Sequence, residues 1–179
     1  MLNPLHNQQG VTLIEIAVGL AIIAIVFATG VPGFRTWVQN LQIRTATESI
    51  QNGLQLARSE AVHRNTPVQF VFGTGSGWTV GCVTASATCP VSIQSRSSAE
   101  GTPNASVAIT PAGTSTITFN GLGRVTAPAS QVTIDVTNPT GGICVTAAGP
   151  MRCLRVVASL GGQIRMCDPA QPSTSPQGC

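Results

Sequence analysis

The chain has 179 residues, of which only 8% are charged, and its mean hydropathy is +0.27. This length suits one domain with an appendage, and the hydropathy argues against a freely soluble protein. All nine basic residues are arginine, and a net charge of +3 permits an acidic partner without requiring one.

The first predicted element is an apolar run from Val11 to Val31 that a single charged residue, Glu15, interrupts. As a helix, its 21 residues extend about 31 Å, which matches the hydrocarbon core of a bilayer. We therefore expect residues 11–31 to form a transmembrane helix. A carboxylate at the centre of such a helix costs about 2.5–3.5 kcal/mol, and a smaller cost remains near its end, so Glu15 calls for an explanation.

Two other interpretations of the apolar run are a signal peptide and a buried core helix. Ala28-Thr29-Gly30 has the small residues that signal peptidase prefers, but the leader MLNPLHNQQG lacks Lys and Arg, and the run is long for a signal peptide. A globular core of this size does not need 21 such residues in a row. The retained membrane anchor is the interpretation that we favour.

The helical pattern continues beyond Pro32-Gly33, a pair that is expected to kink the helix without ending it. Asn65 and Pro67 are then typical of a helix end. The sequence predicts one kinked helix over residues 11–64, with a membrane half and an amphipathic half, residues 32–65. Apolar residues recur there at helical spacing in two stripes: Phe34, Trp37 and Leu41, then Ile43, Ala46, Ile50, Leu54, Ala57 and Ala61.

Residues 66–167 have the alternating, Thr/Val/Ile-rich pattern of short antiparallel strands separated by Gly- and Pro-rich turns. PVQFVF and WTVGCV, joined by GTGSG, read as a hairpin. Further predicted strands are 105–110, 115–119, 131–137, 143–147, 151–158 and 163–167. The expected fold class is therefore α+β, with one antiparallel sheet packed on the second half of the helix. The tail, residues 168–179, is rich in Pro and Ser and is not expected to fold unaided.

The cysteines indicate an oxidising compartment. Their number is even, none forms a CxxC pair and no histidine lies near them, which favours disulfides over a zinc site. Arg35 and Arg44 follow the apolar run and no Lys or Arg precedes it, which taken alone would put the C-terminal part in the cytoplasm. We give the cysteines more weight and expect a periplasmic domain. The six are Cys82, Cys89, Cys144, Cys153, Cys167 and Cys179.

Chain spacing favours one of the fifteen disulfide pairings that six cysteines allow. Cys82–Cys89 would close a short loop, and Cys144–Cys153 would bridge a hairpin turning at residues 148–149, which leaves Cys167–Cys179 to tie down the tail. The register of a hairpin formed by residues 151–158 and 163–167 also sets Cys153 opposite Cys167, so that pairing stays open.

Catalytic chemistry has little support in the sequence. His6 and His63 lie far apart in the chain, and the acids of the strand region show no paired spacing for general acid–base work. The Gly-rich segments lack a following helix to hold a phosphate, so they read as turns. We expect no enzyme activity, no metal and no cofactor.

Two segments carry a resemblance to a known family. QQGVTLIEIAVGLAIIAIVFATGVPGF is similar to the N-terminus of type IV pilins and type II secretion pseudopilins. LQLARSEAVHRNTPV resembles the signature of the GspH/FimT minor pilins, and ITFNGLGRV and the closing RMC fit later strands of that family. The resemblance implies a pilin-like fold, in which a long N-terminal helix packs on an antiparallel sheet.

The same resemblance gives Glu15 a function. It implies that prepilin peptidase cuts after Gly10 and methylates the new amine of Val11. It also implies that Glu15 pairs with the N-terminal amine of a neighbouring subunit, since a carboxylate in hydrocarbon costs much less beside a cation. Most relatives have Phe at the position of Val11 and Lys or Arg in the leader, where this chain offers only His6.

DNA binding is the competing function. Some family members are implicated in DNA uptake through a C-terminal Gly-Arg-x-Arg motif, and the matching segment here, residues 162–165, has Gln163 in place of the first arginine. The predicted hairpin sets Arg155 opposite Arg165 on one outer face, with Arg152 and Arg124 further away. Such a site would give weak, salt-sensitive binding to DNA phosphates, and a solvated basic face is the interpretation that we favour.

The sequence therefore predicts a minor pilin or pseudopilin, held in the inner membrane with a periplasmic domain and inserted near the tip of a filament. Its assembly residues would be Glu15 and Pro32, and its partners would be other pilins or pseudopilins, prepilin peptidase and the inner membrane, with no small-molecule substrate. The sequence does not distinguish a type IV pilus from a type II secretion pseudopilus.

Overall fold

The computed structural model describes residues 10–179, except for the side chains of Thr29 and Pro32. Residues 1–9 of the predicted leader lie outside this range. The chain divides into two compact units with the boundary between Arg35 and Thr36. Helix α1 (Leu13–Arg64) forms most of the described part of the first unit and contributes its later turns to the second.

The later turns of α1 bury one face, as the periodicity predicts. All six residues of the second apolar stripe, from Ile43 to Ala61, are at most 1% exposed. The first stripe differs, because Phe34, Trp37 and Leu41 remain 63%, 59% and 47% exposed. The helix ends where the sequence predicts, since Asn65 has a left-handed φ of 48°, a conformation that Asn tolerates better than most residues.

The strands form two antiparallel sheets instead of the single sheet that the sequence predicts. The first sheet has the order β3-β2-β1-β5-β6 and the second has the order β4-β7-β8-β9. The strands are β1 (Val68–Phe72), β2 (Trp78–Cys82), β3 (Gln94–Arg96), β4 (Ser106–Thr110), β5 (Thr116–Phe119), β6 (Val125–Ala127), β7 (Val132–Thr137), β8 (Leu154–Ala158) and β9 (Ile164–Cys167).

Most predicted strands are confirmed, with ends that differ by three residues or fewer, and β3 and β6 were not predicted. The strand predicted over 143–147 is wrong. Val145–Ala147 forms a 3-10 helix instead, and Ala148 follows it with a left-handed φ of 61°. The backbone N–H groups of Ala147 and Gly149 both donate to the carbonyl oxygen of Cys144, so this segment folds on itself and does not pair as a strand.

Side chains from α1 and from both sheets meet in one hydrophobic core. Gly53 allows the close approach of α1 to the first sheet, because a Cβ at this position would lie 2.7 Å from Cε2 of Phe70 and 3.0 Å from Cε2 of Trp78. The second sheet contributes alternate residues of β7 and β8, including Ile134 and Val156, which are fully buried. A helix packed on antiparallel sheets confirms the predicted α+β fold class.

The predicted register of the β8–β9 hairpin is wrong by two residues. Arg155 lies opposite Cys167, and Arg165 lies opposite Val157, so the two arginines are not paired. Residues 160–162 form a three-residue turn in which Gly162 has a left-handed φ of 83°, the conformation that such turns require. A shift of two residues keeps every side chain on its predicted face of the sheet.

Candidate assembly site

The apolar part of α1 is exposed along its length in the described part of the chain. An 18-residue window of α1 reaches a mean hydropathy of 2.4, and none of that window is buried. Leu13, Ile14 and Leu20 are 87%, 71% and 62% exposed. The segment has the length and composition to cross a membrane, and a surface this apolar requires lipid or other apolar helices around it.

Glu15 lies in the first turn of α1, on this exposed apolar surface. Its backbone N–H donates to the carbonyl oxygen of Thr12 over 3.1 Å and lies 3.4 Å from Thr12 Oγ1. A carboxylate near a helix N-terminus also interacts favourably with the helix dipole. Within residues 10–179, Glu15 forms no ion pair, since the four salt bridges of this part of the chain all involve other acids.

Thr12 is a residue that the sequence reasoning missed. It occupies the cap position directly before Leu13. Thr12-x-x-Glu15 has the spacing of a capping box, in which a Ser or Thr side chain and a Glu side chain three residues later accept hydrogen bonds from backbone N–H groups at the helix start. This spacing is readable in the sequence and would have fixed the start of the helix two residues after Val11.

Gly10 and Val11 precede the helix, in a segment without regular structure. Both residues are exposed, and Val11 retains 69% of its accessible surface. The peptide bond between them is therefore not protected by helical hydrogen bonds. A protease that acts at this bond would not first have to unwind α1.

Three of the five residues of the predicted arginine face lie together. Arg155, Gln163 and Arg165 line one shallow cavity of about 220 Å³ on the outer face of the second sheet. Arg155 forms a two-pronged ion pair with Asp135, with Nε–Oδ1 and Nη2–Oδ2 distances of 2.7 and 3.1 Å. Arg165 Nη2 lies 3.3 Å from the backbone oxygen of Cys179. Both arginines therefore already interact with oxygen atoms of the same chain.

The other two residues of that predicted face lie elsewhere. Arg152 pairs with the buried carboxylate of Asp168 over 2.7 Å and is outside the cavity. Arg124 is exposed in the turn before β6. With Arg152 and Arg155 held by carboxylates, the positive potential available to a nucleic acid backbone is small. The DNA-binding alternative is not supported.

Three disulfides join Cys82 to Cys89, Cys144 to Cys153 and Cys167 to Cys179. These are the pairs that chain spacing favours. The hairpin predicted between Cys144 and Cys153 is wrong, because the segment between them contains a 3-10 helix. In the described residues, no group of three or more His, Cys, Asp or Glu side chains is placed to bind a metal.

The chain matches two protein-family models. Residues 46–162 match the model described as type II transport protein GspH, and residues 5–31 match the prokaryotic N-terminal methylation motif. The second match contains both Gly10 and Glu15. No curated protein sequence matches the chain at a significant level.

Three solved structures share the fold at low sequence identity. The Pseudomonas aeruginosa type IV minor pilin FimU is 21% identical, with a TM-score of 0.56 over 80% of this chain and 98% of that one. The Vibrio cholerae minor pseudopilin EpsH is 15% identical, with a TM-score of 0.52 over 73% and 99%. Escherichia coli GspH is 16% identical, with a TM-score of 0.51 over 77% and 95%.

Proposed function

The chain belongs to the GspH family of type II transport proteins, and we propose that it is a minor pilin or pseudopilin that assembles at or near the tip of a type IV pilus or a type II secretion pseudopilus. Its contribution is structural, without catalysis, cofactor or small-molecule substrate. Other pilins or pseudopilins are its partners along α1.

Processing is the first step of this proposal. Prepilin peptidase removes residues 1–10 and methylates the amine of Val11. Support comes from the match to the methylation motif over residues 5–31 and from the exposed, non-helical peptide bond after Gly10. The cut leaves an N-terminal amine that carries a positive charge and lies four residues before Glu15.

The mature protein is held in the inner membrane by the apolar part of α1, with the strand domain in the periplasm. The exposed apolar surface of that segment supports the anchor, and the three disulfides support the oxidising compartment.

Glu15 directs assembly by pairing with the N-terminal amine of a neighbouring subunit. The observation that carries this step is a carboxylate on an apolar surface with no ion-pair partner inside the described chain. A positively charged group from another subunit lowers the free-energy cost of holding that carboxylate in hydrocarbon. We also assign Pro32 to assembly, at the position where Pro32-Gly33 is expected to kink α1.

Glu15→Ala tests this step in cells that assemble the filament. We expect the variant to insert into the membrane and to be processed, and to be lost from sheared filaments. Glu15→Gln should also fail, because it keeps the size and loses the charge. Ile16→Ala is the matched control, since Ile16 is adjacent and 52% exposed, and it should enter filaments normally. If Glu15→Ala enters filaments normally, Glu15 does not direct assembly.

A further inference from the structure

Two loops meet beside the last turns of α1 and expose a small apolar surface. Asn120–Arg124 connects β5 to β6, and Ser159–Gln163 connects β8 to β9. They are joined by a hydrogen bond from the N–H of Val125 to the carbonyl oxygen of Leu160. A Cβ at Gly123 would lie 3.1 Å from Cγ2 of Val62, so α1 packs against the same point.

We call this surface the loop patch. Its apolar members are Val62, Leu122 and Leu160, which are 50%, 80% and 42% exposed. Leu122 is the most exposed large apolar side chain of residues 36–179. Single exposed apolar residues are common on protein surfaces, whereas these three are grouped around the point where both loops pack on α1, which makes them a candidate interaction site.

The turn that presents Leu122 is ordered by hydrogen bonds. Oδ1 of Asn120 accepts hydrogen bonds of 3.0 Å from the backbone N–H groups of both Leu122 and Arg124. The N–H of Gly123 donates to the carbonyl oxygen of Asn120 over 2.8 Å. This hydrogen-bonded turn therefore keeps the Leu122 side chain exposed to solvent and away from the core. A surface that is already ordered loses little conformational entropy when it binds a partner.

The edge of the loop patch is positively charged. Arg58 and Arg124 are both exposed, and neither forms an ion pair with any residue from 10 to 179. Arg58 lies against both loops, since a Cβ at Gly162 would be 3.2 Å from its Nε. The nearby acid on α1, Glu60, is bound to Arg64 over 2.6 Å. Apolar side chains with unpaired arginines beside them fit an apolar segment that carries a carboxylate.

A second copy of this chain has no such segment to offer within the described residues. Glu48, Glu60, Asp135 and Asp168 all form ion pairs within the chain, and Glu15 lies in the segment that we propose to cross the membrane, out of reach of a periplasmic domain. The remaining acid, Glu100, lies in the sequence SSAEGTP, which contains no large apolar residue. The partner is therefore a different protein.

We propose that the loop patch docks an apolar segment bearing Asp or Glu from a different subunit of the same filament. This inference rests on the proposed function and adds to it a contact made by the folded domain, separate from those made by the apolar part of α1. The apolar side chains supply most of the contact, and Arg58 and Arg124 select a partner with the complementary charge.

The test places a photo-crosslinking amino acid at position 122 of the full chain, in cells that assemble the filament. We expect an adduct with another filament subunit, and the crosslinked peptide should contain Asp or Glu beside an apolar residue. Reversing both charges with Arg58→Glu and Arg124→Glu should lower the adduct yield at least about twofold, because exposed ion pairs each contribute a factor of about 1.5–5.

Position 91 is the matched control, because Val91 is 64% exposed in a different loop; a crosslinker there should not form this adduct. Leu122→Ser should reduce entry into filaments, and Leu122→Met should not. The inference is overturned by an adduct with a second copy, by no adduct at position 122, or by the same adduct at both positions. Failure of Glu15→Ala to change assembly would instead count against the proposed function.

Discussion

Trp78 on β2 donates a 2.8 Å hydrogen bond from Nε1 to Oγ of Ser49 on α1. Both residues are 5% exposed, so water cannot replace either partner. The indole ring also stacks on Phe70, with ring centroids 5.6 Å apart. This polar contact inside an apolar core fixes the rotation of the helix relative to the first sheet.

Ser49→Ala should lower the free energy of unfolding by about 1–3 kcal/mol, because it leaves the buried indole N–H without an acceptor. Chemical denaturation of the detergent-solubilised chain, followed by tryptophan fluorescence, measures this change. Ser59→Ala is the control, since Ser59 is exposed and bonds only to the carbonyl of Leu56. We expect it to change stability by less than about 0.5 kcal/mol. Equal effects of the two variants would contradict the assignment.

Gly53→Ala should also destabilise the fold, although alanine favours helices over glycine by about 1 kcal/mol. The added Cβ would meet Phe70 and Trp78 at 2.7 and 3.0 Å. Overpacking of this kind costs about 1–3 kcal/mol, so the net loss should be about 1 kcal/mol by the same denaturation measurement. Asn52→Ala, at the preceding exposed position, should not lower stability. A stabilised Gly53→Ala variant would show that α1 and the first sheet are further apart.

The disulfides can be tested by peptide mapping without reduction. We expect linked peptides that join Cys82 to Cys89, Cys144 to Cys153 and Cys167 to Cys179. Replacing both Cys144 and Cys153 with Ser should cost about 2–4 kcal/mol, the usual effect of removing such a crosslink. A peptide that links Cys153 to Cys167 would contradict this pairing.

The parts of the fold that the sequence predicts are those governed by local periodicity. The stripe from Ile43 to Ala61 follows the period of a helix, and the Val68–Phe72 and Trp78–Cys82 hairpin follows the alternation of a strand. Asn65 ends the helix through its own backbone preference. Each of these signals lies within a few residues of the structure that it determines.

The errors have two causes: local backbone conformations that the residue pattern does not reveal, and pairings between distant parts of the chain. Residues 143–147 alternate like a strand. Hydrogen bonds to the carbonyl oxygen of Cys144 and the left-handed conformation of Ala148 reverse the chain there, and a 3-10 helix forms instead. The β8–β9 register depends on which glycine of the turn takes the left-handed conformation, and that residue is Gly162. The division into two sheets depends on strand partners far apart in the chain, for which a single sequence carries no signal.

The functional residues show the same difference between local signals and contacts made by distant parts of the chain. Glu15 stands out in the sequence because a charge interrupts an apolar run, and Gly10 and Val11 follow from the motif around it. The loop patch was not predicted, because Val62, Leu122 and Leu160 are brought together only by the packing of two loops on α1. Asp135 was likewise not predicted as the partner of Arg155, a contact made across neighbouring strands.

The N-terminus of the mature protein tests the central proposal most directly. Mass spectrometry of the protein extracted from membranes, after protease digestion, should identify an N-terminal peptide that begins at Val11 and carries one methyl group on its amine. This result would establish cleavage after Gly10 and retention of the apolar part of α1. A mature chain that begins at Val31 would instead indicate signal peptidase cleavage, remove Glu15 with the anchor, and contradict the assignment as a filament subunit.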